Sequence, residues 1–370
     1  MTGTDLPAGR LLSLDAFRGL TIAGMILVNN PGSWSHIYAP LRHAEWHGWT
    51  PTDLIFPFFL FIVGVAIPFS IGKRLLRGDS RTTLLSHIVR RSLILFALGL
   101  FMAAYPRFDL GGLRIMGVLQ RIGVVYLLAA SSFLFLGRRG RAWTAVGLLL
   151  GYWALLTFVP VPGYGPGDLS PEGNLGAYLD RMILGDRLWR GTWDPEGLLS
   201  TLPAVVTTLL GIFTGEWLRS ARTTGAKVGG LLAGGIVGIG AGLLWSLAFP
   251  INKALWTSSY VLFTSGAGLL LLGLFFWTME VRGRRAWAKP FVVYGMNAIA
   301  VFVASGLVAK TIGLLGVGST GMSLQAWVYN EIFASWAGPL NGSLFFAMSY
   351  VLIWLAIMWI LYKRRLFIKI

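Results

Sequence analysis

Long apolar runs separated by short polar segments dominate the chain. They lie near residues 14–30, 52–72, 86–104, 115–136, 142–161, 197–218, 227–249, 254–278, 288–314 and 343–362. About 20 consecutive apolar residues in a helix span the hydrocarbon core of a bilayer. The pattern therefore predicts an all-α fold, a polytopic transmembrane helical bundle of about ten spans. We read residues 1–370 as a single transmembrane domain. The first run is the weakest by hydropathy. The stretch 320–338 is amphipathic and carries Glu331, so it reads as an interfacial or re-entrant helix rather than a span.

Composition supports lipid as the solvent. Hydrophobic residues make up 55% of the chain and charged residues only 12%, about half the charged share usual in soluble domains. The formal charge of +16 comes from 31 basic and 15 acidic residues. No nucleic-acid motif accompanies that charge, so a nucleic-acid partner is not expected. The basic residues instead cluster in alternate loops. With a cytoplasmic amino terminus, the inner loops hold Lys73, Arg74, Arg77, Arg81, Arg90 and Arg91, then Arg138, Arg139 and Arg141, then Arg219, Arg222 and Lys227. Further inner charges are Arg10, Arg282, Arg284, Arg285, Lys289, Lys363, Arg364, Arg365 and Lys369. The outer segments hold far fewer. Basic residues favour the cytoplasmic side, which places both termini there. Three longer outer segments follow, at 31–51, 162–196 and 315–342; the second is rich in Gly and Pro and reads as loop. The first apolar run, Gly19–Val28, has charged and amide flanks and no clear cleavage site, so no signal peptide is expected. Cysteine is absent, which excludes a cysteine acyl-enzyme and thiolate metal sites.

Polar residues inside apolar runs are costly and are the natural site candidates. Asp15, Arg18 and Asn29 fall near one face of the first helix, along roughly 21 Å of its axis. They either line a polar seam or merely lock the two helix ends. Gln120 and Arg121 lie early in the fourth run; Arg121 needs a carboxylate or a watery cavity, and Asp15 is one structural partner for it. Asn297 either faces a ligand or joins helices by a hydrogen bond. Lys310 is expected to snorkel outward. The outer segment RHAEWHGWTPTDLIFP carries His43, His47 and Asp53, after His36. Two histidines at i, i+4 can hold a metal, but Gly48 and the prolines argue against a long helix, and no metal is expected. Imidazole suits general-base work, and a carboxylate such as Asp53 can orient it. The residues alone leave His36, His43 and His47 nearly equal. His87, among Arg90 and Arg91, reads as structural. Asp194 with Pro195 reads as the cap of the sixth span. Asn252 and Lys253 sit at the outer mouth, either to hold a polar substrate or to start the next helix.

Six strings in order, SLDAFRGLTIAGMILVNNPG, RHAEWHGWTPTDLIFPFFLFIVG, GVLQRIGVVYLL, DPEGLLSTLPAVV, INKALWTSSYVL and YGMNAIAVF, resemble the heparan-alpha-glucosaminide N-acetyltransferase family. The resemblance runs from about residue 11 to 362. It implies acetyl transfer from cytosolic acetyl-CoA to an amino sugar across the membrane. Its H-A-x-W-x-G motif implies that His43 is the catalytic histidine, with His47 at the variable position, and its other motifs map onto Asn29 and Asp53. The family's lysosomal member carries an amino-terminal lumenal domain and a leading span without counterpart here, and the Asn29-to-His43 stretch is a little longer.

On this reading the acyl donor acetyl-CoA enters from the cytoplasm and follows a seam of helices 1 and 4 lined by Asp15, Arg18, Gln120 and Arg121, with Asn297 also on the donor side. His43 takes the acceptor's proton, Asn29 donates to the oxyanion, Asp53 orients the imidazole, and His47, Asn252 and Lys253 hold the acceptor. An acetyl-imidazole on His43 is the alternative within the class. The expected partners are acetyl-CoA, a glucosamine-type sugar or glycan acceptor and the lipid bilayer, with a homodimer admitted. The expected place is a bacterial inner (cytoplasmic) membrane, multi-pass. Competing readings are an O-acetyltransferase of an envelope polysaccharide, a small-molecule transporter and an inactive scaffold.

Overall fold

A computed structural model describes residues 11–318 and 321–368. Arg10 and Lys369 of the expected inner charges, and residues 319 and 320 of the third outer segment, lie outside them. The helices in chain order are α1 (Leu12–Asn29), α2 (Ile55–Leu76), α3 (Arg81–Ala104), α4 (Val118–Phe135), α5 (Arg138–Phe158), α6 (Leu175–Leu184), α7 (Thr201–Arg219), α8 (Thr224–Trp245), α9 (Ser258–Phe276), α10 (Lys289–Met296), α11 (Ala298–Leu314), α12 (Leu324–Trp327) and α13 (Ser335–Lys363). Nine helical stretches among the described residues are long and apolar enough to cross a membrane, and the bent pair 286–296 and 298–314 makes a tenth. The chain is thus an all-helical, multi-pass membrane protein, and the apolar runs mark its spans.

Small residues let the helices meet backbone to backbone, which replaces the hydrophobic drive that is missing between helices in lipid. The α2–α7 contact is the clearest case. A Cβ on Gly64 would stand 2.0 Å from the Thr208 carbonyl oxygen, and one on Gly211 would stand 2.1 Å from that of Phe61. The α1–α10 contact is equally close, with Gly295 against the Asp15 carbonyl and Gly19 against that of Phe291. These two contacts hold α1 and α2, whose connecting segment carries His43, His47 and Asp53, against the rest of the bundle.

Three local features depart from the plain reading of the chain. First, the outer segment 162–196 is not all loop: Asn174 accepts a hydrogen bond from the Ala177 amide and starts α6, which buries Leu175, Ala177 and Leu184. Second, the ninth span is broken. Asn297 leaves helical geometry (φ −124°, ψ 35°), and α10 and α11 meet at 72°. Third, the amphipathic stretch forms α12 and π-helical turns through Ala334, then reverses at Gly338 (φ 76°) followed by Pro339. Gly342 packs on the Ala334 backbone, so this stretch folds back on the last span as a hairpin.

Candidate functional site

The segments that lead into α2 and α9 frame the site. Immediately before α2, Thr50 caps a short 3-10 turn, Pro51–Leu54, with Asp53 at its third position. One carboxylate oxygen of Asp53, Oδ2, accepts from the Thr50 amide at 3.0 Å and the Ala44 amide at 3.0 Å. The other, Oδ1, lies 2.6 Å from Nδ1 of His43. The capping arrangement therefore fixes the carboxylate, and the carboxylate fixes the ring. Only a protonated Nδ1 can face a carboxylate oxygen, so this contact assigns the tautomer and leaves the lone pair on Nε2. Asp53 is 1% exposed in its side chain, whereas His43 is 52% exposed. A buried acid thus holds an open imidazole.

A second loop closes over the ring. Nζ of Lys253 stands 2.9 Å from Nδ1 and 3.2 Å from Nε2 of His43, and 3.6 Å from Oδ1 of Asp53. Burial lowers the lysine's pKa, against the pull of Asp53. Asn252 lies 3.4 Å from Nδ1 of His47 and accepts from the Leu255 amide at 2.9 Å. The Gly48 amide donates to the Ile251 carbonyl at 2.7 Å, which ties the two loops together. Burial also lowers the pKa of His47. Tyr260 donates to the Asp53 carbonyl oxygen at 2.5 Å. Trp256, buried and in the left-handed region at φ 51°, carries the back wall. His43, Asp53, His47, Asn252 and Lys253 are therefore one cluster, while His36 stands apart against Ser33 and Tyr329.

Behind Trp256 lies a buried charge network that sequence reasoning missed in part. Arg121 is fully buried; its guanidinium stands 5.2 Å from the Trp256 ring centre and donates to Gly197 and Ser200. Arg114 pairs with both Asp194 and Glu196 at 2.5 Å. Burial opposes the charge on Arg114, and the two carboxylates more than offset it, so its pKa is raised. Asp180 on α6 accepts from the Leu198 amide at 2.8 Å, and burial pushes its pKa up to about 6. Asp194 does not cap a helix: α7 begins only at Thr201, and the carboxylate serves Arg114 and the Trp189 and Glu196 amides instead. The DPEG string contained two of the three acids of this network, but nothing in the chain pointed from them to Arg114.

The expected polar seam between the first and fourth helices does not form. The gap between them is lined by Ile22, Met25, Val118, Leu119 and Ile122. Gln120 turns instead to Gly99 of α3 and to Gly117 at the start of its own helix, and Arg121 turns to Gly197 and Ser200, just before α7. Asp15 pairs with Arg18 at 2.9 Å near the start of α1. Asn297 spends both ends of its amide on the carboxyl-terminal tail: it donates to the Leu366 carbonyl at 3.1 Å and accepts from the Ile368 amide at 2.8 Å. It is a helix-break anchor with no free polar atom to offer a donor molecule. Asn29 is exposed at the end of α1 and lines a separate hollow of about 670 Å³, with Arg107, Arg114, Lys310 and Gln325 on its walls and none of the His43 cluster. Lys310 donates there to the Met102 and Tyr105 carbonyls.

Fold and site together define a multi-pass helical membrane protein with a carboxylate-oriented imidazole at one end of its bundle. The profile of heparan-alpha-glucosaminide N-acetyltransferase, catalytic, matches residues 10–176, the stretch that holds His43 and Asp53. The chain is 32% identical to the Homo sapiens heparan-alpha-glucosaminide N-acetyltransferase over 80% of its own length and 52% of that protein. It is 30% identical to the Mus musculus protein of the same name over 98% of its length and 61% of that protein. The chain belongs to the heparan-alpha-glucosaminide N-acetyltransferase family. It spans between half and two thirds of the length of these curated relatives.

Proposed function

We propose that the protein is a transmembrane acetyltransferase that moves an acetyl group from cytoplasmic acetyl-CoA to an amino sugar or related glycan on the outer side of the membrane. The observation that carries this reading is the 2.6 Å contact of buried Asp53 with the open ring of His43, inside the stretch that matches the family's catalytic profile. Nε2 of His43 takes the proton of the attacking amine, and Asp53 stabilises the resulting imidazolium. His47 and Asn252 shape the rim against which the acceptor rests. Asn29 holds polar groups in the adjoining hollow. Asp15 and Arg18 meet the donor at the cytoplasmic end of α1; Gln120, Arg121 and Asn297 are given no role, because Gln120 and Asn297 are turned to neighbouring backbone and the Arg121 guanidinium is sealed behind Trp256. The chain acts as one membrane domain, with both termini in the cytoplasm of a bacterial inner membrane.

Purified protein in lipid, given acetyl-CoA and a panel of amino sugars and hydroxyl acceptors, tests the reaction. Transfer to an amine acceptor that disappears in His43→Ala supports it. Failure to transfer acetyl to any acceptor, with acetyl-CoA bound, overturns it. Transfer to hydroxyls alone makes the protein an O-acetyltransferase using the same base. Because the chain has no cysteine, single cysteines at Ser80 and Ser170 test orientation. An impermeant thiol reagent added to intact cells labels Ser170→Cys and spares Ser80→Cys; the reverse pattern inverts the topology.

A further inference from the structure

Acetyl transfer needs two proton movements, and a histidine base accounts for one. The acceptor amine loses a proton as its nitrogen bonds the acetyl carbon. The sulfur of the donor gains one as the carbon–sulfur bond breaks. An alkyl thiolate leaves poorly unless a proton or a positive charge reaches it. Few cations near the imidazole are free to supply either. The Arg121 guanidinium donates through one nitrogen to Gly197 and Ser200 and is fully buried behind the Trp256 ring, out of reach of a substrate. That of Arg114 is occupied by Asp194 and Glu196.

Lys253 differs from both. Its ammonium lies 2.9 Å from Nδ1 and 3.2 Å from Nε2; since Nδ1 is protonated toward Asp53, only Nε2 can accept from it, and a longer, 3.6 Å contact joins it to Asp53. Its backbone is firmly set. The Asn252 amide donates to Thr257 Oγ1 at 3.1 Å, Thr257 donates to the Pro250 carbonyl at 2.9 Å, and the Gly48–Ile251 bond fastens this turn to the His43 loop. The side chain is 19% exposed, so it is shielded but not sealed from a substrate at the ring. A lysine used only to grip an acceptor would present its ammonium to the hollow or the rim; this one presents it to the base.

We propose that Lys253 is the proton donor to the departing sulfur of the acyl donor, and that His43 restores that proton to it. The proposal rests on the acetyltransferase reading above. The cycle balances. The amine nitrogen bonds the acetyl carbon and gives its proton to Nε2 of His43. The carbon–sulfur bond breaks, its electron pair goes to sulfur, and the Lys253 ammonium protonates that sulfur to the thiol. The imidazolium then passes its Nε2 proton across the 3.2 Å contact to the neutral lysine amine, and both groups return to their starting states. Burial lowers the lysine's pKa and so eases its part.

The test compares two donors in the full-length protein. With acetyl-CoA, Lys253→Gln and Lys253→Arg each lose about 10²-fold in kcat, while KM for the donor stays within about threefold. Arginine fails because it keeps the charge but holds its proton too firmly to give up. With the acetyl thioester of p-nitrothiophenol, whose thiolate leaves without a proton, Lys253→Gln recovers to within about tenfold of the parent protein. His43→Ala does not recover, since the amine still needs a base. Lys253→Met serves in place of the glutamine variant if that one fails to fold. An equal loss on both donors makes Lys253 structural and overturns the proposal, as does full activity of the arginine variant. Should the parent protein refuse the aryl donor, the arginine variant alone decides. A parent protein that transfers no acetyl group overturns the acetyltransferase reading itself, whereas an active parent with unaffected Lys253 variants overturns only the lysine's role.

Discussion

Two polar groups occupy opposite ends of the bundle, and they are built on the same expedient. At one end Asp53 is buried, with one carboxylate oxygen held by two backbone amides and the other on His43, whose ring is half open. At the other end Asn297 is buried too, yet its contacts end on the backbone of Leu366 and Ile368. Polar side chains inside a membrane protein are expensive and so draw attention as sites. The comparison shows that expense alone does not mark chemistry. The His43 group spends its hydrogen bonds on aiming a reactive atom; the Asn297 group spends them on closing a broken helix.

Each end can be broken separately. His43→Ala has the largest effect: acetyl transfer falls by at least about 10²-fold, with an unchanged melting temperature and unchanged acetyl-CoA affinity. A variant that retains transfer removes the histidine base from the outer end. Arg121→Ala should act on the fold and not on the donor. Removing a buried charge set among Glu196, Asp194 and Asp180 costs about 3 kcal/mol, read in thermal unfolding. A selective loss of donor affinity with an intact melting curve would restore Arg121 to the donor path. Asp180 gives a pH signature. Its folded pKa of about 6 lies above the ordinary 3.8. Its contribution is therefore complete below the ordinary value and is lost as pH rises through about 6, for a change on the order of 1–3 kcal/mol. Asp180→Asn flattens that part of the stability–pH curve; an unaltered curve refutes the assignment. Smallest is Asn297→Ala, about 1–2 kcal/mol of stability, with acetyl transfer per folded molecule held near the parent value. A strong loss of transfer there would erase the distinction between the two ends.

The spans were readable because a membrane writes itself into the chain as runs of fixed length, and α2 or α9 need no neighbour to be recognised. The break at Asn297 was not readable, since hydropathy continues unbroken through YGMNAIAVF. Helix α6 was hidden for the opposite reason: ten residues inside a Gly- and Pro-rich segment carry too little pattern. In the site, His43 and Asp53 are ten residues apart and share a turn, so local chemistry could pair them. Lys253 comes from a loop about 200 residues later, and only its position at an outer mouth hinted at a role. Arg121 shows the limit most plainly. Helical spacing places it on a face and says it needs partners, but it cannot say which helix that face meets; the seam with α1 was the wrong neighbour, and α7 was the right one.

The grip of Asn297 on the tail also orders events in time. The amide that steadies the corner between α10 and α11 waits for Leu366 and Ile368, made some 70 residues later. During synthesis the ninth span therefore enters the bilayer with its corner unfinished. Only when α13 has crossed and its last residues turn back can that corner settle. That corner is thus closed by a segment made some 70 residues after it.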